Sequence, residues 1–154
     1  GGTLGKGNMT SAAEFNVFTD PHAAEIMYQA GVPITMVGLD VTMKALLTPA
    51  TMQKLPTLGR TGRMLHALFN HYGDGDKTGI PMHDVNTLFY LLHPEAFTTQ
   101  EMWIDVQTDG PANGETVGDI RGAYHDGKTN ATVCVDIDAR AFNAWFLDTV
   151  AAIG

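Results

Sequence analysis

Two short stretches of this sequence contain side chains that could act on a sugar with several hydroxyl groups. The first holds a carboxylate, Glu14, and two carboxamides, Asn8 and Asn16, which offer both donors and acceptors to a polyol. In an extended backbone, Glu14 and Asn16 point to one side and Phe15 to the other. The alternative interpretation is that these polar groups only satisfy the backbone of a loop.

The second stretch is His83 followed by Asp84, at the junction between a glycine-rich loop and a predicted helix. The first turn of a helix at the end of a sheet is a usual place for a functional site. Asp84 also has a simple structural interpretation as the N-cap of that helix. The pattern therefore leaves two interpretations open, a reactive pair and an ordinary helix start.

Two other motifs only partly match the binding sites that they resemble. The glycine-rich start at 1–7 follows no strand, and Lys6-Gly7 is not the Lys-Ser/Thr pair of a phosphate-binding loop. The loop at 74–79 begins like a calcium-binding EF-hand, but its twelfth position is Val85, where a bidentate glutamate is needed. We interpret this segment as a mobile acidic loop.

The elements that must position these residues alternate between helix and strand. Residues 1–19 are predicted to be loop followed by irregular extended chain. Helices are predicted from Asp20-Pro21 to about Gly31, from Thr48-Pro49, over 62–72, from Asp84 to about Pro94 and over 139–153, and strands at 33–37, 102–107 and 132–138. This alternation predicts an α/β fold in one unit, residues 1–154, although three strands are few for a sheet.

Composition excludes several classes of protein. The chain has 154 residues, 44% of them hydrophobic, so it can bury a core without cross-links. Seventeen acidic and nine basic residues give a net charge of −8, which argues against nucleic acid or an anionic membrane as a partner. The single cysteine, Cys134, excludes a disulfide framework within the chain and favours a reducing compartment, for which we expect the cytoplasm.

Taken in order, a set of short motifs resembles the inosine–uridine-preferring nucleoside hydrolases. The motifs are Gly7-Asn8, Ala13-Glu14-Phe15-Asn16, Asp20-Pro21-x-Ala23-Ala24, Gly31-x-Pro33, Gly38-Leu39-Asp40-Val41-Thr42 and Pro81-Met82-His83-Asp84, followed by Arg121-Gly122, Asp126, Asn130, Asp136 and Asp138. The resemblance covers essentially the whole chain. It implies the C-terminal half of an open, mostly parallel, Rossmann-like sheet with flanking helices, completed by an N-terminal segment that is absent here.

The resemblance implies hydrolysis of the N-glycosidic bond of ribonucleosides to ribose and free base, with Ca²⁺ as cofactor. The positions that match the family's functional residues are Asn8, Glu14 and Asn16 for the ribose hydroxyls, Phe15 for an aromatic contact near the sugar or base, Tyr72 for a base contact, His83 for the proton donor to the leaving base, and Asp84 for both calcium and ribose. The loop over 70–82 matches a mobile region above the base.

One departure from the family is large. In the family, an aspartate-rich opening segment of the form Asp-Thr-Asp-Pro-Gly-x-Asp-Asp supplies most calcium ligands and the base for the attacking water. Nothing like this segment occurs in the present sequence. The resemblance therefore implies a chain that supplies the ribose-binding and leaving-group side, is inactive alone, and belongs with the N-terminal half in a dimer or tetramer. The alternative is an inactive fragment, or a protein on the same scaffold that binds ribose or nucleosides without catalysis.

Overall fold

The computed structural model describes all residues from 1 to 154, and they group into two compact units. Unit 1 consists of Gly1–Val41 and Phe97–Asp136, and unit 2 consists of Thr42–Ala96 and Ile137–Gly154. Helices and strands are interspersed along the chain, and the sheet in unit 1 is open, so the predicted α/β class is confirmed.

Most of the helices and strands are short. The helices are α1 (Phe15–Thr19), α2 (Pro21–Gln29), α3 (Leu39–Thr42), α4 (Pro49–Met52), α5 (Gly59–Tyr72), α6 (Gly75–Thr78), α7 (His83–Leu92) and α8 (Ala139–Ile153). The strands are β1 (Thr35–Met36), β2 (Leu46–Leu47), β3 (Ile80–Pro81), β4 (Phe97–Met102), β5 (Ile104–Val106), β6 (Thr116–Gly118) and β7 (Ala131–Ile137). None of the helices combines the length and the apolar character needed to cross a membrane.

The core of unit 1 lies around a three-stranded sheet with the order β1-β7-β4. Strands β1 and β7 run parallel, with Thr35 opposite Thr132, and β5 pairs with β6 in an antiparallel hairpin. The buried apolar side chains that pack together here are Val17, Tyr28, Met36, Met102, Ile104, Val106, Ala131 and Val133. Burial of this cluster holds α1 and α2 near the sheet.

The core of unit 2 is built from aromatic side chains on three helices. Phe89 on α7 meets Phe142 on α8 edge-on, with ring centroids 5.4 Å apart. Phe146 on α8 contacts Phe69 on α5, with centroids 6.5 Å apart. Strand β3, which ends just before α7, pairs antiparallel with β2 in the same unit. This packing fixes the N-terminal end of α7, where His83 lies.

Two helix starts follow the predicted capping chemistry. The Asp20 carboxylate accepts a hydrogen bond from Ala23 N at 2.9 Å, and Pro21 occupies the first turn of α2. The Thr48 hydroxyl accepts from Thr51 N at 3.2 Å at the start of α4. The predicted start of α2 at Asp20-Pro21 and the predicted start of α4 at Thr48-Pro49 are confirmed.

Two local predictions were wrong. Residues 15–19 form a helix rather than extended chain, because Glu14 acts as an N-cap whose carboxylate accepts from the first backbone N–H groups. Asp84 is not an N-cap, since α7 already begins at His83 and Met82 occupies the capping position. Asp84 therefore lies in the first turn of α7, and its capping interpretation no longer holds.

The segment predicted to be a mobile acidic loop contains the short helix α6 and is bound to α5. The Asp76 carboxylate lies 3.0 Å from His66 Nε2 and accepts from Asn70 Nδ2 at 2.9 Å. Asp76 N donates back to Asn70 Oδ1 at 3.0 Å. These bonds attach the loop before β3 to one face of α5.

A buried asparagine joins three elements of unit 2. Asn143 Oδ1 accepts from Thr48 N at 3.1 Å and from the Thr51 hydroxyl at 2.6 Å. Its Nδ2 donates to Leu46 O at 2.9 Å and to Ala139 O at 2.8 Å. Because Asn143 is only 8% exposed, removal of its amide leaves several buried polar groups without partners.

We expect Asn143→Ala to lower the free energy of unfolding of unit 2 by about 2–4 kcal/mol, from the partners left unpaired and the lost packing. Urea denaturation of the 154-residue chain measures this change. Thr149→Ala, at an exposed position on the same helix, is the control and should change stability by less than about 0.5 kcal/mol. Equal losses in the two variants would contradict the structural role of Asn143.

Candidate functional site

The Glu14 carboxylate is the centre of the polar cluster in unit 1. Its Oε1 accepts from Asn16 N and Asn16 Nδ2, both at 3.0 Å. Its Oε2 accepts from Gly2 N at 2.8 Å and from Val17 N at 3.3 Å. A carboxylate offers about four acceptor positions, and N–H groups take all of them here. Glu14 is also only 5% exposed, and its hydrogen bonds organise the backbone around it.

Two opposing effects act on the pKa of Glu14. Burial raises it, whereas hydrogen bonds from the backbone N–H groups of Asn16, Gly2 and Val17 lower it. The hydrogen bonds outweigh burial, and the pKa of Glu14 lies below its ordinary value of 4.5. The carboxylate is therefore ionised at neutral pH and stabilises the chain around it.

The other predicted ribose-side residues lie next to Glu14. Asn8 Oδ1 accepts from Phe15 N at 2.9 Å, which attaches the Gly7-Asn8 turn to the start of α1. Asn8 and Asn16 are exposed, and Phe15 is 53% exposed. The structure thus brings Asn8, Glu14, Phe15 and Asn16 together, with the Asn8 amide nitrogen and the Asn16 amide oxygen left for a ligand.

The start of the chain is held against this cluster by residues to which the sequence analysis gave no role. The Thr116 hydroxyl accepts from Thr3 N at 2.9 Å and donates to Thr3 O at 2.6 Å. The Asp40 carboxylate accepts from Leu4 N at 2.8 Å. Gly7 must be a glycine, because a Cβ there would lie 2.1 Å from the Ala13 carbonyl oxygen.

In unit 2, the first residue of α7 makes one defined side-chain contact. His83 Nδ1 lies 2.8 Å from the hydroxyl of Thr42, which is only 2% exposed. The structure gives the other ring nitrogen, Nε2, no protein partner. Sequence reasoning missed Thr42, although it is the last residue of the quoted Gly38–Thr42 motif. One nitrogen of His83 is therefore anchored and the other is available.

Asp84 and Tyr72 are both exposed in unit 2. Asp84 lies in the first turn of α7, where the positive end of the helix dipole favours its negative charge. Tyr72 ends α5 and is 85% exposed. Asp84 follows His83 directly in the sequence, and the structure shows no hydrogen bond from Tyr72 to either residue.

The residues of this chain do not by themselves fit a calcium ion. Calcium takes six to eight oxygen ligands, usually including several carboxylates. The structure holds no group of three or more His, Cys, Asp and Glu side chains arranged around one point. Asp84 is a single exposed carboxylate and can provide only part of such a site.

Comparison with known proteins identifies the class to which this fold and these motifs belong. The sequence profile of the family described as inosine-uridine preferring nucleoside hydrolase matches residues 1–144. The non-specific ribonucleoside hydrolase RihC of Salmonella typhi is 44% identical over 155 residues, which cover 99% of this chain and 50% of the relative. The chain thus spans about half the length of the curated relatives that it matches.

Solved structures agree with this result. The purine-preferring ribonucleoside hydrolase from Gardnerella vaginalis superposes with a TM-score of 0.87 at 29% identity, over 99% of this chain and 51% of that structure. A plant nucleoside hydrolase, PpNRh1, gives a TM-score of 0.86 at 25% identity, over 99% and 52% of the two chains. The chain belongs to the inosine-uridine preferring nucleoside hydrolase family and corresponds to the C-terminal half of such an enzyme.

We expect Glu14→Gln to lower the free energy of unfolding at pH 7 by about 1–3 kcal/mol, because an amide N–H2 would face backbone N–H donors. The pKa of Glu14 is lowered in the folded chain, so its contribution is complete above about pH 5 and is lost as the pH falls through the folded pKa. Urea denaturation at several pH values should show a weaker acid dependence in the variant than in the parent chain.

Glu25→Gln on α2 is the matched control. The Glu25 carboxylate accepts only a long bond of 3.4 Å from Gln29, so its loss should change stability little. The same acid dependence in Glu14→Gln as in the parent chain would contradict the role of Glu14 as a buried anion.

Proposed function

We propose that this chain supplies the ribose-binding and leaving-group side of an enzyme that hydrolyses the N-glycosidic bond of ribonucleosides. The observation that carries the proposal is His83, with one nitrogen anchored and the other available, next to the exposed Asp84 in a member of this family. The name of the relative RihC, a non-specific ribonucleoside hydrolase, supports the same reaction class.

Cleavage of the N-glycosidic bond requires a proton donor on the leaving-group side. Cleavage of a glycosidic bond passes through an oxocarbenium-like sugar, and the base departs with the bonding electrons. A base anion is a poor leaving group, so protonation in the transition state accelerates the reaction, typically by 10²–10⁴-fold. We assign this donor to His83 Nε2, the ring nitrogen with no protein partner.

The ribose side is assigned to the polar cluster of unit 1. The amides of Asn8 and Asn16 provide the free donor and acceptor for sugar hydroxyls. Glu14 can contact ribose when a hydroxyl replaces the exposed Asn16 amide at Oε1. Phe15 and Tyr72 are exposed aromatic side chains that suit packing against the sugar or the base.

We further propose that the whole enzyme depends on calcium and that Asp84 provides one carboxylate ligand. A hard cation prefers carboxylate and hydroxyl oxygens, so Asp84 can serve both the ion and the ribose. Since the donors of this chain do not complete a site, the remaining ligands are assigned to the part of the hydrolase that this chain does not cover.

Two features support assembly with other chains in the cytoplasm. Large apolar side chains on α7, Leu88, Leu91 and Leu92, are all more than half exposed, which is typical of a surface that packs against a partner. The single cysteine, Cys134, is buried and unpaired, as expected in a reducing compartment. We propose a homo-oligomer, with a ribonucleoside as the substrate.

A second candidate function is the binding of ribose or nucleosides without catalysis. It is favoured by the exposed amides of Asn8 and Asn16, which offer a free donor and a free acceptor to a sugar without a metal ion. Ribose release separates the two functions, because a binding protein retains affinity for inosine or uridine but produces no free sugar.

The main test replaces the matching half of Salmonella typhi RihC with this chain, at 44% identity, and measures ribose release from inosine and uridine with added calcium. We expect the chimera to hydrolyse both nucleosides and the 154-residue chain alone to release none.

Asp84→Asn in the chimera should abolish turnover and weaken calcium binding, because an amide lacks the charge that calcium favours.

Two results would contradict the proposal. A folded chimera that binds nucleosides without releasing ribose would favour the binding function. Turnover by the isolated chain close to that of the chimera would show that this half carries its own metal site and water base.

His83→Ala in the chimera should slow inosine hydrolysis by about 10²–10⁴-fold and slow a nitrophenyl riboside by less than about tenfold. The activated group leaves without a proton, so it does not need the histidine. Steady-state kinetics on both substrates checks this, with His22→Ala at an exposed position on α2 as the control. Equal losses on the two substrates would remove His83 from the proton-donor role.

A further inference from the structure

We propose that Thr42 is a positioning residue for His83: its buried hydroxyl anchors Nδ1 and keeps Nε2 directed to the leaving base. This inference rests on the proposed function, in which His83 donates the proton. It goes further by assigning a role to a residue on another helix, α3, that touches neither substrate nor metal in that proposal.

Burial makes the contact between Thr42 and His83 specific. Thr42 is 2% exposed, so water does not compete for its hydroxyl, and the bond to Nδ1 is short at 2.8 Å. The structure offers Thr42 Oγ1 no other side-chain or backbone partner. Buried hydroxyl groups are normally hydrogen-bonded, and the acceptor within reach of this one is Nδ1. For the neutral ring we assign the donor role to the Thr42 hydroxyl and the ring hydrogen to Nε2.

A hydroxyl suits this position better than a carboxylate or a carbonyl group. A hydroxyl can donate to Nδ1 or accept from it, so Thr42 can hold the ring whichever ring nitrogen carries the hydrogen. A carboxylate or a carbonyl oxygen only accepts, so it would require a hydrogen on Nδ1. The Thr42 hydroxyl therefore leaves Nε2 free to present a hydrogen to the leaving base.

The contact also fixes the ring in space. His83 is the first residue of α7, and its backbone is held there by the packing of that helix. A second fixed point at Nδ1 determines the rotation of the imidazole about its last side-chain bond. Poor orientation of a catalytic group costs roughly ten- to a hundredfold in rate, so loss of the anchor should be measurable.

The test uses Thr42→Val, which keeps the buried shape and removes the hydroxyl, and Thr42→Ser, which keeps the hydroxyl. In the RihC chimera, Thr42→Val should lower kcat on inosine about tenfold or more, with little change in KM and little change on a nitrophenyl riboside. Thr42→Ser should retain most of the rate. In a His83→Ala background, Thr42→Val should have no further effect, because the two residues act as one unit.

A second measurement on the 154-residue chain does not depend on activity. Long-range 1H–15N spectra of the His83 ring, assigned with His83→Ala, should show Nδ1 unprotonated and hydrogen-bonded at high pH. In Thr42→Val the Nδ1 signal should move towards that of a solvent-exposed histidine, and in Thr42→Ser it should not.

The outcomes distinguish the proton-donor function of His83 from the positioning role of Thr42. If His83→Ala affects inosine and the nitrophenyl riboside equally, the proposed function of His83 fails. If His83→Ala behaves as expected but Thr42→Val matches the parent in kcat and in the Nδ1 signal, the positioning role fails alone. An additional loss from Thr42→Val in the His83→Ala background would show that Thr42 acts by general stability rather than through the ring.

Discussion

The buried carboxylate of Glu14 is the constraint on which the ribose side of this chain depends. An ion so little exposed is stable only if nearly all its acceptor positions are filled, and four N–H bonds fill them. These bonds start α1 and hold Gly2 against it, twelve residues away in sequence. Asn8 is bonded to the start of the same helix through Phe15 N, and Asn16 is bonded to Glu14. The exposed amides can recognise a sugar because the buried acid fixes the backbone beneath them.

Much of the framework could be predicted from local chemistry. Asp20-Pro21 and Thr48-Pro49 start helices because each pair supplies an acceptor and a residue that needs no N–H partner. The amphipathic pattern at the end of the chain predicted α8 over the residues it occupies. Residue type and spacing predict the cluster of Asn8, Glu14 and Asn16, the family resemblance adds a role for Phe15, and the structure does bring the four together.

The missed features depend on contacts between residues far apart in sequence. Glu14 is a weak N-cap by residue type, so local pattern predicts extended chain rather than α1, and one of its four N–H donors comes from Gly2, twelve residues away. The bond between Thr42 and His83 joins positions 41 residues apart, which no local pattern reveals. Aspartate is common at capping positions, so residue type makes Asp84 a candidate N-cap, whereas the helix begins one residue earlier, at His83.

The two acidic residues of the candidate set differ in what they leave available. Glu14 is buried, and N–H groups of the chain itself occupy its acceptor positions. Asp84 is exposed in the first turn of α7, and no donor in the structure takes its carboxylate oxygens. An unoccupied carboxylate at the positive end of a helix is open to a hard cation or a sugar hydroxyl. The preceding residue, His83, is bonded to the neutral hydroxyl of Thr42 and not to Asp84. The charge of Asp84 therefore remains available to the cation or the sugar.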